Sequence, residues 1–116
     1  MPTHRGDVVL VLFPDSSLRT AKRRPALVVQ ADNLQTKLAQ SIVAMGTSKM
    51  PRAGHRSRIT VKRDGAEGKR AGLLTDSVIM TDNLVTVRDG EIDRTISRYP
   101  DLGTIDACLR HTFGLR

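Results

Sequence analysis

The chemistry-bearing residues of this chain fall into a run of cations ending at a proline, a threonine closing an apolar run, and a few carboxylates and imidazoles. The stretch Lys22-Arg23-Arg24-Pro25-Ala26-Leu27-Val28-Val29-Gln30 carries three positive charges into a proline and then into an apolar segment. Pro25 has a fixed φ and no N–H, which suits the first residue of a strand. Ala26 to Val29 has the composition of a strand buried on both faces. The residue before a proline is pushed to an extended conformation. Arg24 is therefore held at the mouth of a rigid strand, and a guanidinium so constrained is pre-organised for an anion such as a phosphate. Short basic runs are weak motifs, and the competing reading is a solvated charge run that keeps a strand end soluble. Thr47 follows Ile42-Val43-Ala44-Met45-Gly46. Its hydroxyl either caps a turn or hydrogen-bonds a phosphate oxygen.

Asp82, Asp15 and His55 are side chains that can take up a proton. Each has a structural alternative, as a loop-holding carboxylate, a turn former and a loop imidazole. His4 and His111 read as surface residues, and Cys108 as a packed thiol on a helical stripe. The three histidines and one cysteine show no metal-ligand spacing, so no metal is expected. Gly-x-Gly patterns are absent, so no nucleotide cofactor is expected.

The positioning elements can be read from the hydrophobic pattern. Val8 to Phe13, Ala26 to Gln30 and Ser41 to Met45 are short apolar runs bounded by turn residues, hence strands. Arg58 to Lys62 alternates, as a strand wetted on one face does. Ala71 to Leu74, Ser77 to Met80, Leu84 to Val87 and Asp93 to Ser97 are further strand candidates. Loops are expected over Pro14 to Lys22, Lys49 to Arg56 and Arg63 to Lys69, with a turn at Arg88 to Glu91. One helix is expected after Pro100, with Asp101 as its N-cap and Gly114 as its stop. Leu102, Ile105, Leu109 and Phe113 form its apolar stripe. Several short strands and one helix point to a small antiparallel β-barrel.

Composition narrows the partners. The 116 residues include 19 Lys and Arg against 12 Asp and Glu, a formal charge of +7. That sign favours nucleic acid, an anionic surface or an acidic protein. Phe13, Tyr99 and Phe113 are the only aromatics, so stacking platforms are not expected to dominate recognition. No apolar run approaches the roughly 20 residues needed to span a bilayer, and no signal-peptide core precedes the first charges. A single cysteine fits a reducing compartment. These readings give a cytoplasmic protein with no membrane partner.

Three blocks then resemble the MazF/PemK family of toxin endoribonucleases. They are Arg5-Gly6-Asp7-Val8 with the apolar run after it, Arg24-Pro25-Ala26-Leu27-Val28-Val29-Gln30, and Gly72-Leu73-Leu74-Thr75-Asp76-Ser77-Val78 continuing through Asp82-Asn83 to Thr86-Val87. Their order and spacing carry the likeness, which covers nearly the whole chain. Thr47 falls where the family has a catalytic or RNA-contacting threonine. The chain departs from the family in lacking an acid over Ser17 to Ala21, in having Val85 where a basic residue is common, and in having Asn83 for the usual Gln.

The resemblance implies a mainly β fold, a small SH3-like barrel of the CcdB/MazF kind with a C-terminal helix, as one toxin domain over residues 1–116. It implies metal-independent cleavage of single-stranded RNA to a 2′,3′-cyclic phosphate and a 5′-OH, inhibiting translation. It further implies a homodimer and an antitoxin with a flexible acidic segment. The expected site is Arg24, Thr47 and Asp82 for the chemistry, with Arg23, Ser48, Lys49, Arg52 and Ser77 contacting RNA. Two alternatives are a CcdB-like gyrase poison that binds without catalysis and a small basic barrel that binds RNA without cutting it.

Overall fold

A computed structural model describes residues 3–14, 21–49, 52–61 and 76–116. The Asp15 candidate, the charged loop from Arg63 to Lys69, the strand candidate from Ala71 to Leu74 and the start of the third block lie outside the described residues. Among the described residues there are six strands: β1 (Asp7–Pro14), β2 (Ala21–Val28), β3 (Gln40–Thr47), β4 (Arg58–Val61), β5 (Ser77–Arg88) and β6 (Ile92–Arg98). One helix, α1 (Leu102–Phe113), follows them. The strands form one antiparallel sheet in the order β4-β5-β3-β2-β1-β6. The mainly β expectation with a C-terminal helix is met. Among the described residues β4 and β6 remain unpaired edges, so the ladder is open and compatible with a barrel-like curl.

The central strands bury both faces. Val8, Leu27 and Ala44 lie in one cluster with Ile105 and Cys108 of the helix. Val9, Val11, Ala26, Val28, Val43 and Met45 form the other. Successive side chains of a strand point to opposite faces, so an unbroken apolar run is what a two-sided core requires. Helix α1 begins and ends as its sequence dictates. The Asp101 carboxylate accepts from the Thr104 N–H at 3.0 Å, and Gly114 takes the left-handed φ of 68° that stops the helix. Of its apolar stripe, Ile105 is buried, Leu102 and Leu109 pack at the edge of the core, and Phe113 is 58% exposed. Leu115, just past the helix, is 64% exposed.

Two expectations about strands are corrected. Pro25 does not start β2; it lies inside it, paired with Leu10 of β1. The cations before it belong to the strand and not to a loop. The reason is that β2 pairs with β1 from Ala21 to Leu27 but with β3 only from Ala26 to Val28. The Pro25 carbonyl lies on the β3 side, and in an extended strand the ring nitrogen faces the same way. The missing N–H thus falls where no β3 ladder exists, the position a strand proline tolerates. Second, the segments Ser77 to Met80 and Leu84 to Val87 are one strand, β5. Its register jumps from Met45↔Met80 to Ala44↔Leu84, leaving Thr81, Asp82 and Asn83 without partners on β3. This is an enlarged bulge, a feature that re-aims side chains. Its base is pinned where Thr81, fully buried, donates from its N–H and its hydroxyl to the Ser57 carbonyl at 2.9 and 2.6 Å.

Candidate functional site

Where β2 leaves the β3 ladder, Arg24 and Thr47 come to one place. They line two depressions that share Arg24, Gly46, Thr47 and Lys49 and so form one groove. One lobe, about 300 Å³, adds Met45, Met80 and Val85 as an apolar floor and Arg52 and Asn83 at its side. The other, about 400 Å³, adds Arg23, Pro25, Ser48 and Ser77. Seven of the eight expected residues therefore meet in this groove. The eighth, Asp82, is absent from both linings.

Each member is placed by a local cause. Arg24 is exposed and stands opposite Val11 of β1, and no carboxylate pairs with it among the described residues. Thr47, 7% exposed, ends β3 and its Oγ1 accepts from the Lys49 N–H at 3.2 Å. That is the turn-capping role open to it from sequence. A hydroxyl so engaged keeps its own proton for donation, so the cap leaves Thr47 able to bond an anion. The Arg52 N–H donates to the Lys49 carbonyl at 3.0 Å, turning the chain so that both cations edge the groove. Arg23 is partly spoken for, since its Nε lies 2.9 Å from the Asp93 carboxylate on β6.

Asp82 is engaged elsewhere. Arg58 Nε and Nη2 donate to its two carboxylate oxygens at 3.2 and 2.7 Å. This fork holds the Asp82 carboxyl below the usual carboxylate range, outweighing its desolvation. A depressed folded-state pKa contributes stability that is complete above the ordinary carboxylate pKa and is lost as pH falls through the depressed value. The carboxyl carbon of Asp82 is accordingly expected to titrate at lower pH in the wild type than in Arg58→Met. Carbon-detected NMR checks this, and coincident titration curves would contradict the pairing. His55 is not in the groove either. Its Nδ1 accepts from the Ser57 N–H at 3.1 Å, and its ring sits 5.9 Å from that of His111. Among the described residues, no carboxylate or imidazole lines the groove.

Pattern reading missed Met45 and Met80 in the groove lining and the Arg58 partner of Asp82, and it names Asn83 and Val85 only as departures from the family pattern. The two methionines face each other across the β3–β5 ladder and look like core in any sequence window. The family model for PemK-like, MazF-like toxins of type II toxin–antitoxin systems matches residues 4–112. The chain belongs to this toxin family. No curated protein matches it. Among solved structures, the Mycobacterium tuberculosis toxin MazF-mt6 is 19% identical over 95% of this chain and 98% of its own, with a TM-score of 0.73. A mycobacterial endoribonuclease in complex with its cognate antitoxin is 17% identical over 99% and 98%, also at 0.73. A MazE–MazF structure from Deinococcus radiodurans is 18% identical over 98% of each chain, again at 0.73. At these identities the likeness is one of fold, and it agrees with the sheet and helix described above. No helix among the described residues is long and apolar enough to cross a membrane.

Proposed function

We propose that this toxin is a cytoplasmic, metal-independent endoribonuclease that cuts single-stranded RNA, mRNA included, and so stops translation. The observation that carries the reading is the meeting of Arg24 and Thr47 where two lobes of one basic groove join. The 2′-OH gives its proton to water as it attacks the adjacent phosphorus, the O2′–P bond forms, the P–O5′ bond breaks, and the departing O5′ takes a proton from water. Charge grows on the non-bridging oxygens as the phosphorane develops. Arg24 presents a guanidinium fork to those oxygens, and Thr47 donates its hydroxyl proton to one of them. A guanidinium does not give up its proton in proteins, so Arg24 assists the leaving oxygen as a hydrogen-bond donor and not as a classical acid. Lys49 and Arg52 track the phosphates beside the cut, with Arg23, Ser48 and Ser77 along the other lobe. The methionine floor suits the apolar face of a base, since a polarizable thioether packs well against an aromatic ring.

The same cations suit the acidic, flexible tail of an antitoxin. A tail that folds onto the groove recovers its ordering cost from charge-assisted hydrogen bonds and apolar anchors. It excludes RNA by occupying the same lysine and arginines. The exposed Phe113 and Leu115 at the end of α1 fit a homodimer, in which such surface is covered.

The test is to incubate the protein with a long single-stranded RNA in excess EDTA and map the ends formed. New ends that accept phosphate directly, being 5′-OH, and that disappear when the antitoxin is added are expected. RNA left intact would overturn the nuclease reading. RNA that is bound but uncut would point to the non-catalytic barrel.

A further inference from the structure

We infer that Arg58 is a positioning residue of the groove, clamping the β5 bulge to the turn at Arg52 so that Asn83 and Arg52 are held in place against RNA. The inference rests on the RNA-cutting reading for what the clamp is for, and on geometry alone for its existence. Arg58 begins β4, where it pairs with Met80, the last β5 residue before the bulge. Its side chain reaches two segments that the ladders do not hold. Nε and Nη2 fork onto the Asp82 carboxylate at the crest of the bulge, and Nη1 donates to the Arg52 carbonyl at 3.0 Å. Asn83 follows Asp82 directly, so both groups fixed by Arg58 are neighbours or parts of groove-lining residues.

The remaining anchors of these segments are few. Among the described residues, Thr81 is bonded to Ser57 and to the Thr112 hydroxyl, which holds only the base of the bulge. Arg52 has its N–H bond to the Lys49 carbonyl on the other side of the turn and one long contact, 4.0 Å, from its Nη1 to Met80 Sδ. Asp82 and Asn83 are both exposed, so packing does not fix them. Only a planar guanidinium can give two parallel bonds to one carboxylate and a third to a carbonyl, and lysine at this position offers a point charge instead. Charge argues for the same arrangement. A carboxylate near a groove edged by Arg24, Lys49 and Arg52 would repel phosphate, and Arg58 offsets it. Asp82 on this view acts through Arg58, and its competing role as proton acceptor gives different kinetics.

The experiment has two arms, each using Arg58→Met, Arg58→Lys, Asp82→Asn and the Arg58→Met/Asp82→Asn double variant. The first measures amide hydrogen exchange in the free protein. Exchange at the hydrogen-bonded amides of Arg52 and Thr81 is expected to rise about tenfold or more in Arg58→Met, with β1 to β3 unchanged, since local opening free energies differ between segments. Unchanged protection would overturn the clamp, whether or not the protein cuts RNA. The second arm measures cleavage over a pool of RNA sequences. On the preferred site kcat/KM is expected to fall about ten- to a hundredfold, mainly through KM, because small misplacements are costly. The set of sites cut should broaden. Arg58→Lys should keep part of the preference, and the double variant should be no worse than the worse single one, as for partners in one interaction. If Asp82→Asn instead lowers kcat alone and removes the acidic limb of the pH profile, Asp82 is the proton acceptor and the clamp is not its role. Loosened amides with an unchanged site preference would leave Arg58 no part in recognition. A wild type that cuts no RNA would refute the nuclease reading, and the exchange arm would still decide the clamp.

Discussion

The Arg24→Ala protein is expected to fold and melt like the wild type and to lose RNA cleavage. The two halves of that result have separate causes. Arg24 is exposed and makes no ion pair among the described residues, so its removal leaves no buried partner unsatisfied and opens no cavity. Surface changes of this kind usually shift stability by about 0.5 kcal/mol or less. The rate is another matter. If the guanidinium acts on the phosphorane, its loss removes one pre-organised donor where charge develops, which typically costs about a hundred- to a thousandfold. Arg24→Lys separates charge from geometry. A lysine keeps the cation but not the planar fork, so it should recover only part of the loss. Single-turnover cleavage of a short RNA beside thermal melting gives both quantities. A folded Arg24→Ala protein that cuts at the wild-type rate would remove Arg24 from the mechanism. The nuclease reading would then need another source of charge stabilisation.

How much of this site could be read from the chain follows from which residues depend on local and which on distant structure. Asp101 and Gly114 bound α1 through contacts within a few residues, so their types alone were informative. The runs from Val8 and from Ala26 announced buried strands because both sheet faces are covered. Lys49 and Arg52 could be placed near Thr47 by chain distance. Pro25 was misplaced because its tolerance depends on where the β3 ladder begins, a property of register and not of residue type. The bulge at Thr81 to Asn83 was hidden for a similar reason. In the sequence, Asp82-Asn83 lies between two apolar segments that read as separate strands, whereas the chain continues as one strand with three residues left unpaired on the β3 side. Arg58 and Asp82 are 24 residues apart, so their pairing is visible only once β4 lies against β5. The Gly46 position is of this second kind too, and its consequence can be measured.

Gly46→Ala is expected to destabilise the fold and to reduce cleavage by more than the lost stability explains. A Cβ built on Gly46 would lie 2.9 Å from the Pro25 carbonyl oxygen, 3.1 Å from Ile79 Cδ1 and 3.2 Å from Pro25 Cγ. The nearest of these is backbone, so β3 and β2 themselves must separate. At a strand position free of such contacts, Gly→Ala stabilises by about 0.4–1 kcal/mol through the unfolded chain's lost freedom. Overpacking costs about 1–3 kcal/mol, so the net sign here should be destabilising. The site is more sensitive than the fold. Gly46 adjoins Thr47 and Pro25 adjoins Arg24, so the strain acts on the two residues proposed to meet one phosphate. A shift of about 1 Å in such a pair can cost about a hundredfold in rate. Denaturant melts give the stability change, and cleavage measured well below the midpoint gives the rate of folded molecules. Lower stability with a wild-type rate would show that Gly46 serves packing alone. Unchanged or raised stability would show that β2 and β3 can part here without strain, and the close approach of Arg24 to Thr47 would no longer depend on a glycine.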